Sequence, residues 1–342
     1  MNLRASQLSV FLLLLSAAGA LPVRAEVLPP PTYDLTLPPP AANAFGVSVA
    51  FGPSDGLLYV WDGASVLKQD APLSGSFTSI GNVGSGSSDA GPVAFSRDGD
   101  ELLLGNGAGG ALGGANADLI FSIPAAGGDG NVAIGTVPYH ARFLAAPLGA
   151  SNDLYFINQG NASFSASSVS VFDATDGSNV SVIADIPGAS TAMAVDALDR
   201  LFVGVGFGPQ RGQLRSFALS DIQTAYDTTA PLNWTSGDVF NAADNNSGAG
   251  LFFDARGYLF AGGPSGVTVF GNGIVETYEN NGFTLVDYDP VNDLVLVTGF
   301  GDHQGLYPAS MFLIPEPSAL LLAACWLAVF LPAWRRRHRR WA

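Results

Sequence analysis

The sequence predicts an all-β chain folded as a β-propeller, most simply six-bladed, and three observations carry that expectation. A phrase of apolar strand, polar turn and second apolar strand recurs six times, its spacing matches one blade, and helical periodicity is scarce between the copies. The copies pair residues 47–51 with 58–60, 92–95 with 102–104, 142–145 with 154–156, 192–195 with 201–203, 250–253 with 259–261, and 283–286 with 294–296. Second strands therefore begin at 58, 102, 154, 201, 259 and 294. The mean step of 47 residues falls within the roughly 40–50 that a four-stranded blade needs.

Each element follows from its residues. The turns carry Asp55-Gly56, Asp98-Gly99, Asn152-Asp153, Leu198-Asp199, Arg256-Gly257 and Asn292-Asp293, the residue types that tight turns demand for positive φ. Third strands are expected at 65–67, 119–122, 169–172, 213–217, 267–270 and 311–313, each followed by a shorter, more variable fourth strand. One helical turn is expected at 219–226. Stacking six blades buries both faces of each, and closing the ring removes the exposed sheet edges. Residues 33–37 are the expected clasp, an outer strand for the last blade pairing near 311–313. A seventh blade has room in the interval 204–250, around Gly237-Asp238-Val239-Phe240, and a sandwich or β-helix are the remaining alternatives.

The two ends differ from the body. Arg4, an apolar run over 8–20 and Val23-Arg24-Ala25 read as a secretory signal, with signal peptidase cutting between Ala25 and Glu26. An uncleaved anchor is the alternative. At the other end Pro315, Glu316 and Pro317 precede an apolar stretch, 319–334, and then Arg335, Arg336, Arg337, Arg339 and Arg340. Sixteen residues of helix span about 24 Å, short of a 30 Å hydrocarbon core, with Trp326 and Trp334 as interfacial anchors. The arginines stay cytoplasmic, which leaves the body outside. Four segments result: signal peptide 1–25, Pro-rich linker with a closing strand 26–43, propeller 44–314, and sorting signal 315–342.

Pro-Glu-Pro, a short apolar helix and a terminal arginine cluster, in that order, resemble the PEP-CTERM sorting signal of Gram-negative bacteria. The resemblance implies processing by the membrane peptidase exosortase, with Pro315, Glu316 and Pro317 as its recognition residues. It also implies a membrane-anchored intermediate, release to the cell surface or extracellular matrix, and association with exopolysaccharide or biofilm. A plain tail anchor is the alternative. The repeat phrase, across about 270 residues, is similar in pattern to NHL and YVTN propellers.

Composition narrows the function. The formal net charge is −15, but seven of the 14 basic residues lie in the end segments; between Glu26 and Ile314, seven basic residues against 28 acidic ones leave −21. That body would repel phosphate backbones, so nucleic acid is not an expected partner. Anionic polysaccharide is disfavoured too, unless divalent cations bridge the charges. The single cysteine, Cys325, lies in the terminal helix, which gives the body no disulfide.

No catalytic residue is assigned. His140, with Arg142 beside it, and His303 stand apart in sequence and read as surface turns; two scattered histidines do not make a zinc site. Residues 173–179 hold Asp173, Asp176 and Asn179, a spacing unlike an EF-hand loop, and read as a turn. No cofactor is assigned, although calcium is the metal that so many loop carboxylates would admit. There is no Gly-x-Ser-x-Gly elbow, the serines of 84–88 and 163–168 have no neighbouring histidine, and the glycine run 105–114 lacks the ending of a phosphate loop. The favoured reading is a non-catalytic propeller whose loop face binds a polysaccharide or protein; Trp61 and Trp234 are candidate stacking residues, with core packing the favoured reading of either. A calcium-dependent propeller hydrolase or lactonase, exported by the same route, is the alternative.

Overall fold

The computed structural model describes residues 25–38, 48–83, 90–106, 118–130, 132–161, 163, 165–208, 210–242, 250–271 and 274–312. They form a six-bladed β-propeller preceded by a short strand, β1 (Ala25–Val27). Blade 1 is β2 (Val49–Phe51), β3 (Leu58–Trp61), β4 (Ser65–Gln69) and β5 (Phe77–Asn82). Blade 2 is β6 (Ala90–Phe95), β7 (Glu101–Asn106), β8 (Leu119–Pro124) and β9 (Gly135–Thr136). Blade 3 is β10 (His140–Ala145), β11 (Leu154–Gln159), β12 (Ala166–Asp173) and β13 (Asn179–Pro187). Blade 4 begins with β14 (Ala189–Val195), β15 (Arg200–Phe207) and β16 (Gln213–Ala218). Helix α1 (Leu219–Thr228) and β17 (Leu232–Asn233) then intervene before its outer strand, β18 (Asp238–Ala242). Blade 5 is β19 (Gly250–Phe253), β20 (Leu259–Gly263), β21 (Gly266–Gly271) and β22 (Ile274–Glu279); blade 6 is β23 (Thr284–Asp289), β24 (Leu294–Gly299) and β25 (Gly305–Pro308).

All six repeats become blades, and the helical turn expected at 219–226 is α1. The candidate seventh blade is instead β18, which pairs antiparallel with β16 as the fourth strand of blade 4. The turn residues act as their chemistry dictates. Gly56, Gly99 and Gly257 have φ of 63°, 82° and 84°, while Asp199 and Asp293 take 55° and 54°. Carboxylates close the same turns: Asp196 Oδ1 accepts from the Leu198 and Arg200 amides at 3.0 and 2.9 Å, and Asp254 Oδ1 accepts from the Arg256 and Tyr258 amides at 3.0 and 2.9 Å. Much of the acidity of the body is thus spent on turns.

Alternation along the strands builds the core. Six apolar clusters occupy the six blade interfaces: Tyr59 and Trp61 meet Leu102 and Leu104 between blades 1 and 2, and Leu58 and Val60 meet Leu294 and Leu296 between blades 1 and 6. The interface between blades 3 and 4 also takes in α1 through Leu219, Ile222 and Ala225.

Two expectations are corrected. The third strand of blade 6 is β25, not residues 311–313; Ala309–Phe312 form a 3₁₀ turn. Phe312 there is a core plug, 5.5 Å from Phe260 and 4.9 Å from Tyr278 between ring centroids, which accounts for the apolar character of that stretch. Leu313 lies outside the described residues. The supposed linker is a strap. Strand β1 adds in parallel to β22, Leu28 is fully buried between blades 5 and 6, and Tyr33 exchanges backbone hydrogen bonds with Leu306 at 3.1 and 3.0 Å. Leu35 and Leu37 then enter the interface between blades 6 and 1. Residue 33 does clasp the last blade, but through β25. Each buried leucine contributes about 1.5–3 kcal/mol to closure.

No helix among the described residues is long and apolar enough to cross a membrane. Residues 1–24 and 313–342, including the expected membrane helix at 319–334, lie outside the description.

Candidate functional site

The innermost strands of all six blades surround an axial channel of about 400 Å³. Its walls are mostly apolar, with Ala50, Ala94, Leu144, Ala194 and Phe252 among the lining residues of five blades. Blade 6 carries Asp287 there instead. Across the axis, Arg142 of blade 3 reaches it at 3.8 Å, a link between blades three apart in the ring and therefore opposite. Burial pushes the Asp287 carboxyl up, and the Arg142 guanidinium only partly offsets that.

At the upper face, where innermost strands begin and second strands end, blades 1–3 hold four fully buried polar side chains: Ser48, Asn106, His140 and Asn158. Six of their atoms have no hydrogen-bond partner: Ser48 Oγ, both polar atoms of Asn106, both of Asn158, and His140 Nε2. Asn158 stands directly opposite Arg142 on the neighbouring strand. His140 Nδ1 lies 2.8 Å from the Val137 carbonyl, so Nδ1 carries the proton and Nε2 is an acceptor without a donor. Burial pulls the His140 pKa down and keeps the ring neutral. Gly105 makes this packing possible: a Cβ there would lie 2.5 Å from His140 Nε2 and 2.8 Å from the Phe143 ring. The Gly105 carbonyl accepts from Trp61 Nε1 at 2.9 Å, tying blade 1 to the same point.

Several expectations change here. His140 is not a surface turn but a buried strand residue, and Arg142 lines the channel. Trp61 and Trp234 are core residues, 0% and 2% exposed, and offer no stacking surface. His303 sits at the upper end of blade 6, its backbone held by the Asn280 side chain at 2.8 and 2.9 Å. Residues 173–179 form the expected turn, with Asp173 Oδ1 accepting from the Thr175 amide and hydroxyl and Asp176 Oδ1 from the Ser178 amide. Ala25 and Glu26 lie on β1, opposite Thr277 and Tyr278. Pro315, Glu316, Pro317 and the five terminal arginines fall outside the described residues, as does most of the glycine run 105–114. Sequence reading missed Asn106 and Asn158, although each follows a buried apolar run, Leu-Leu-Leu-Gly and Leu-Tyr-Phe-Ile.

No known protein-family profile matches the chain. No curated protein matches it in sequence either. Solved structures do share its fold. A gluconolactonase from Xanthomonas campestris superposes with a TM-score of 0.50 at 14% identity, covering 82% of this chain and 95% of that one. A putative gluconolactonase gives 0.51 at 12% identity, covering 76% and 88%. A calcium-binding regucalcin from Agrobacterium tumefaciens gives 0.50 at 14% identity, covering 73% and 80%. The class defined by fold is therefore the six-bladed β-propeller, and at these identities the likeness to the three structures is one of fold alone.

That fold raises the question of calcium. Calcium takes six to eight hard oxygens, carboxylates prominent among them. Among the described residues there is no cluster of three or more His, Cys, Asp or Glu that could hold a metal. The orphaned set is two amides, one hydroxyl and one imidazole, with no carboxylate, and Asp287 already faces Arg142. These residues do not fit a divalent cation. They fit a neutral ligand that both donates and accepts hydrogen bonds.

Proposed function

We propose that this chain is an exported propeller, displayed at the cell surface or in the extracellular matrix, that binds a hydroxyl-rich partner without chemical turnover. The supporting observation is the group of six orphaned polar atoms at the upper end of blades 1–3. A buried polar atom without a partner costs about 1–3 kcal/mol, and we read these six, closed to solvent in this structure, as groups that a bound partner answers once the upper end opens to it. Sugar hydroxyls answer both faces of an amide, which favours a polysaccharide with no charge of its own. His140, the one basic group of the set, packs on Gly105 through Nε2 and holds the Val137 carbonyl through Nδ1, so among the described residues no hydrogen bond links it to a serine, cysteine or carboxylate.

Export and sorting complete the reading. Signal peptidase would cut after Ala25, and Leu28, the first buried residue of the strap, lies beyond that point, so the closure survives processing. Exosortase would then act on Pro315-Glu316-Pro317, remove the helix at 319–334 with its arginines, and release the body. The test of sorting is replacement of those three residues by alanine, with retention in the membrane expected; unchanged release would refute it. Binding is tested by retention on neutral polysaccharide beads: wild type retained and the Asn106→Leu/Asn158→Leu double variant lost supports the proposal. Calcium-dependent turnover of a lactone panel would replace it with the hydrolase reading, whose support is the names of the gluconolactonase and regucalcin neighbours.

A further inference from the structure

A second cavity, larger than the axial channel, lies away from the channel mouth. It is a cleft of about 550 Å³ between blades 4 and 5, at the lower face, among Phe202, Phe240, Phe253 and Phe270. The rings meet edge to face: Phe202 lies 5.1 Å from Phe240 and 5.0 Å from Phe253, and Phe240 lies 5.5 Å from Phe270. The core of this blade interface mixes Ala192, Ala194 and Ala261 with Leu214, Leu251 and Leu259 beneath the rings.

Phe240 has a particular origin. Strand β18 slips by one residue against β16, pairing Asn241 with Leu214 and Val239 with Arg215, so Phe240 is the extra residue of a bulge. Bulges re-aim side chains, and this one lines the cleft while remaining 43% exposed. Leu198 at 73% and Val275 at 36% line it as well, so three of the eleven exposed large apolar side chains among the described residues border one cleft. Access is open: β13 carries the added strand β17 and β22 carries β1, whereas β18 is an outermost strand of its sheet.

Charge selects the occupant. Asp196 is closed by Arg200 and Asp254 by Arg256. Two exposed carboxylates, Asp199 next to Leu198 in the turn and Asp238 two residues before Phe240 on β18, form no ion pair among the described residues, on a body that carries −21 between Glu26 and Ile314. We infer that this cleft docks an extended, cationic segment of a partner protein. The segment inserts an aromatic side chain among the four phenylalanines and sets a basic residue against Asp199 or Asp238. A second copy of this chain would bring like charge to the same rim and is disfavoured. The inference is independent of the ligand at the upper face.

The test uses the full chain and three fluorescently labelled pentapeptides, Gly-Lys-Trp-Lys-Gly, Gly-Lys-Ser-Lys-Gly and Gly-Glu-Trp-Glu-Gly, followed by anisotropy. The lysine–tryptophan peptide is expected to bind about tenfold or more tighter than either control, as for a buried aromatic anchor. Phe240→Ser and, separately, the fully surface change Leu198→Ser should weaken it several-fold. Asp199→Asn/Asp238→Asn should weaken it and flatten its salt dependence. Equal binding of the serine peptide, equal binding of the glutamate peptide, or indifference to Leu198→Ser would each overturn the inference. Leu198→Ser keeps the test decisive if Phe240→Ser does not fold.

Discussion

Where blades 3 and 4 meet at the upper end, Ser190 of blade 4 donates to the Gly204 carbonyl at 2.7 Å, and Ser167 of blade 3 donates to the Gly188 carbonyl at 2.7 Å while accepting from the Ser190 amide. On blade 6, Asn280 binds the Thr284 hydroxyl and both backbone groups of His303. Blades 1–3 bury Ser48, Asn106, His140 and Asn158 at the corresponding end and leave six of their atoms unanswered. The repeat is the same and the depth is the same. Ser167, Ser190 and Asn280 therefore show that this fold can satisfy polar groups at its upper end, and the contrast with Ser48, Asn106, His140 and Asn158 is the ground on which the proposed ligand reading stands.

The sharpest way to break that half is Gly105→Ala, which drives a Cβ into His140 and Phe143 at 2.5 and 2.8 Å. Urea denaturation should show a loss of about 3 kcal/mol, the upper range for overpacking. Asn158→Leu should do the reverse, raising stability by about 1–2 kcal/mol by removing two orphaned atoms while abolishing retention on polysaccharide. Ser190→Ala, on the satisfied side, should lower stability by about 1 kcal/mol, because the Gly204 carbonyl loses its donor. If both changes destabilise equally, the two halves are not different in kind.

A pH titration sharpens the comparison further. Burial holds the folded pKa of His140 below its ordinary 6.5. The unfolded chain therefore takes up the proton first. The contribution of His140 is complete above about pH 6.5 and drains away as pH falls below it. Asp287, raised by burial, acts with the opposite sign: its folded form holds the proton more tightly, so its contribution is present at low pH and is lost as pH rises above the ordinary 3.8. Melting temperature against pH should thus show an acid-side decline that His140→Gln flattens and Asp287→Asn does not. The smallest effect is expected from Lys68→Ala at the periphery of blade 1. Its ion pair with Asp55 at 2.9 Å is partly solvent-exposed, so the loss should stay below about 1 kcal/mol and shrink with added salt.

Much of the architecture is legible in the chain. Strand alternation is a local property, and Asp or Gly at a turn acts through its own backbone angles, so 250–253 and the turn at Arg256-Gly257 can be read directly. The clasp is partly legible: Tyr33 does close the last blade, but the partner strand was misplaced because the apolar Met311 and Phe312 look like strand and serve as core. The site is poorly legible. Asn106 and Asn158 resemble ordinary strand ends until burial is known, and Phe240 resembles any edge aromatic until the bulge turns it toward the cleft.

The sequence by itself determined the six copies of the repeat phrase, their spacing, the acidity of the body and the residues of its turns, because each depends on neighbours within a few positions or on composition; that the interval 204–250 supplies β18 to blade 4 rather than a seventh blade was decided by tertiary pairing. Tertiary structure alone decided which polar groups lost water without gaining partners, which aromatic rings stayed open between blades, and that Arg142 and Asp287 meet across the axis. Those outcomes depend on residues brought together from different blades. No local signal carries them, because the free energy of a buried polar or charged group is set by what surrounds it in space.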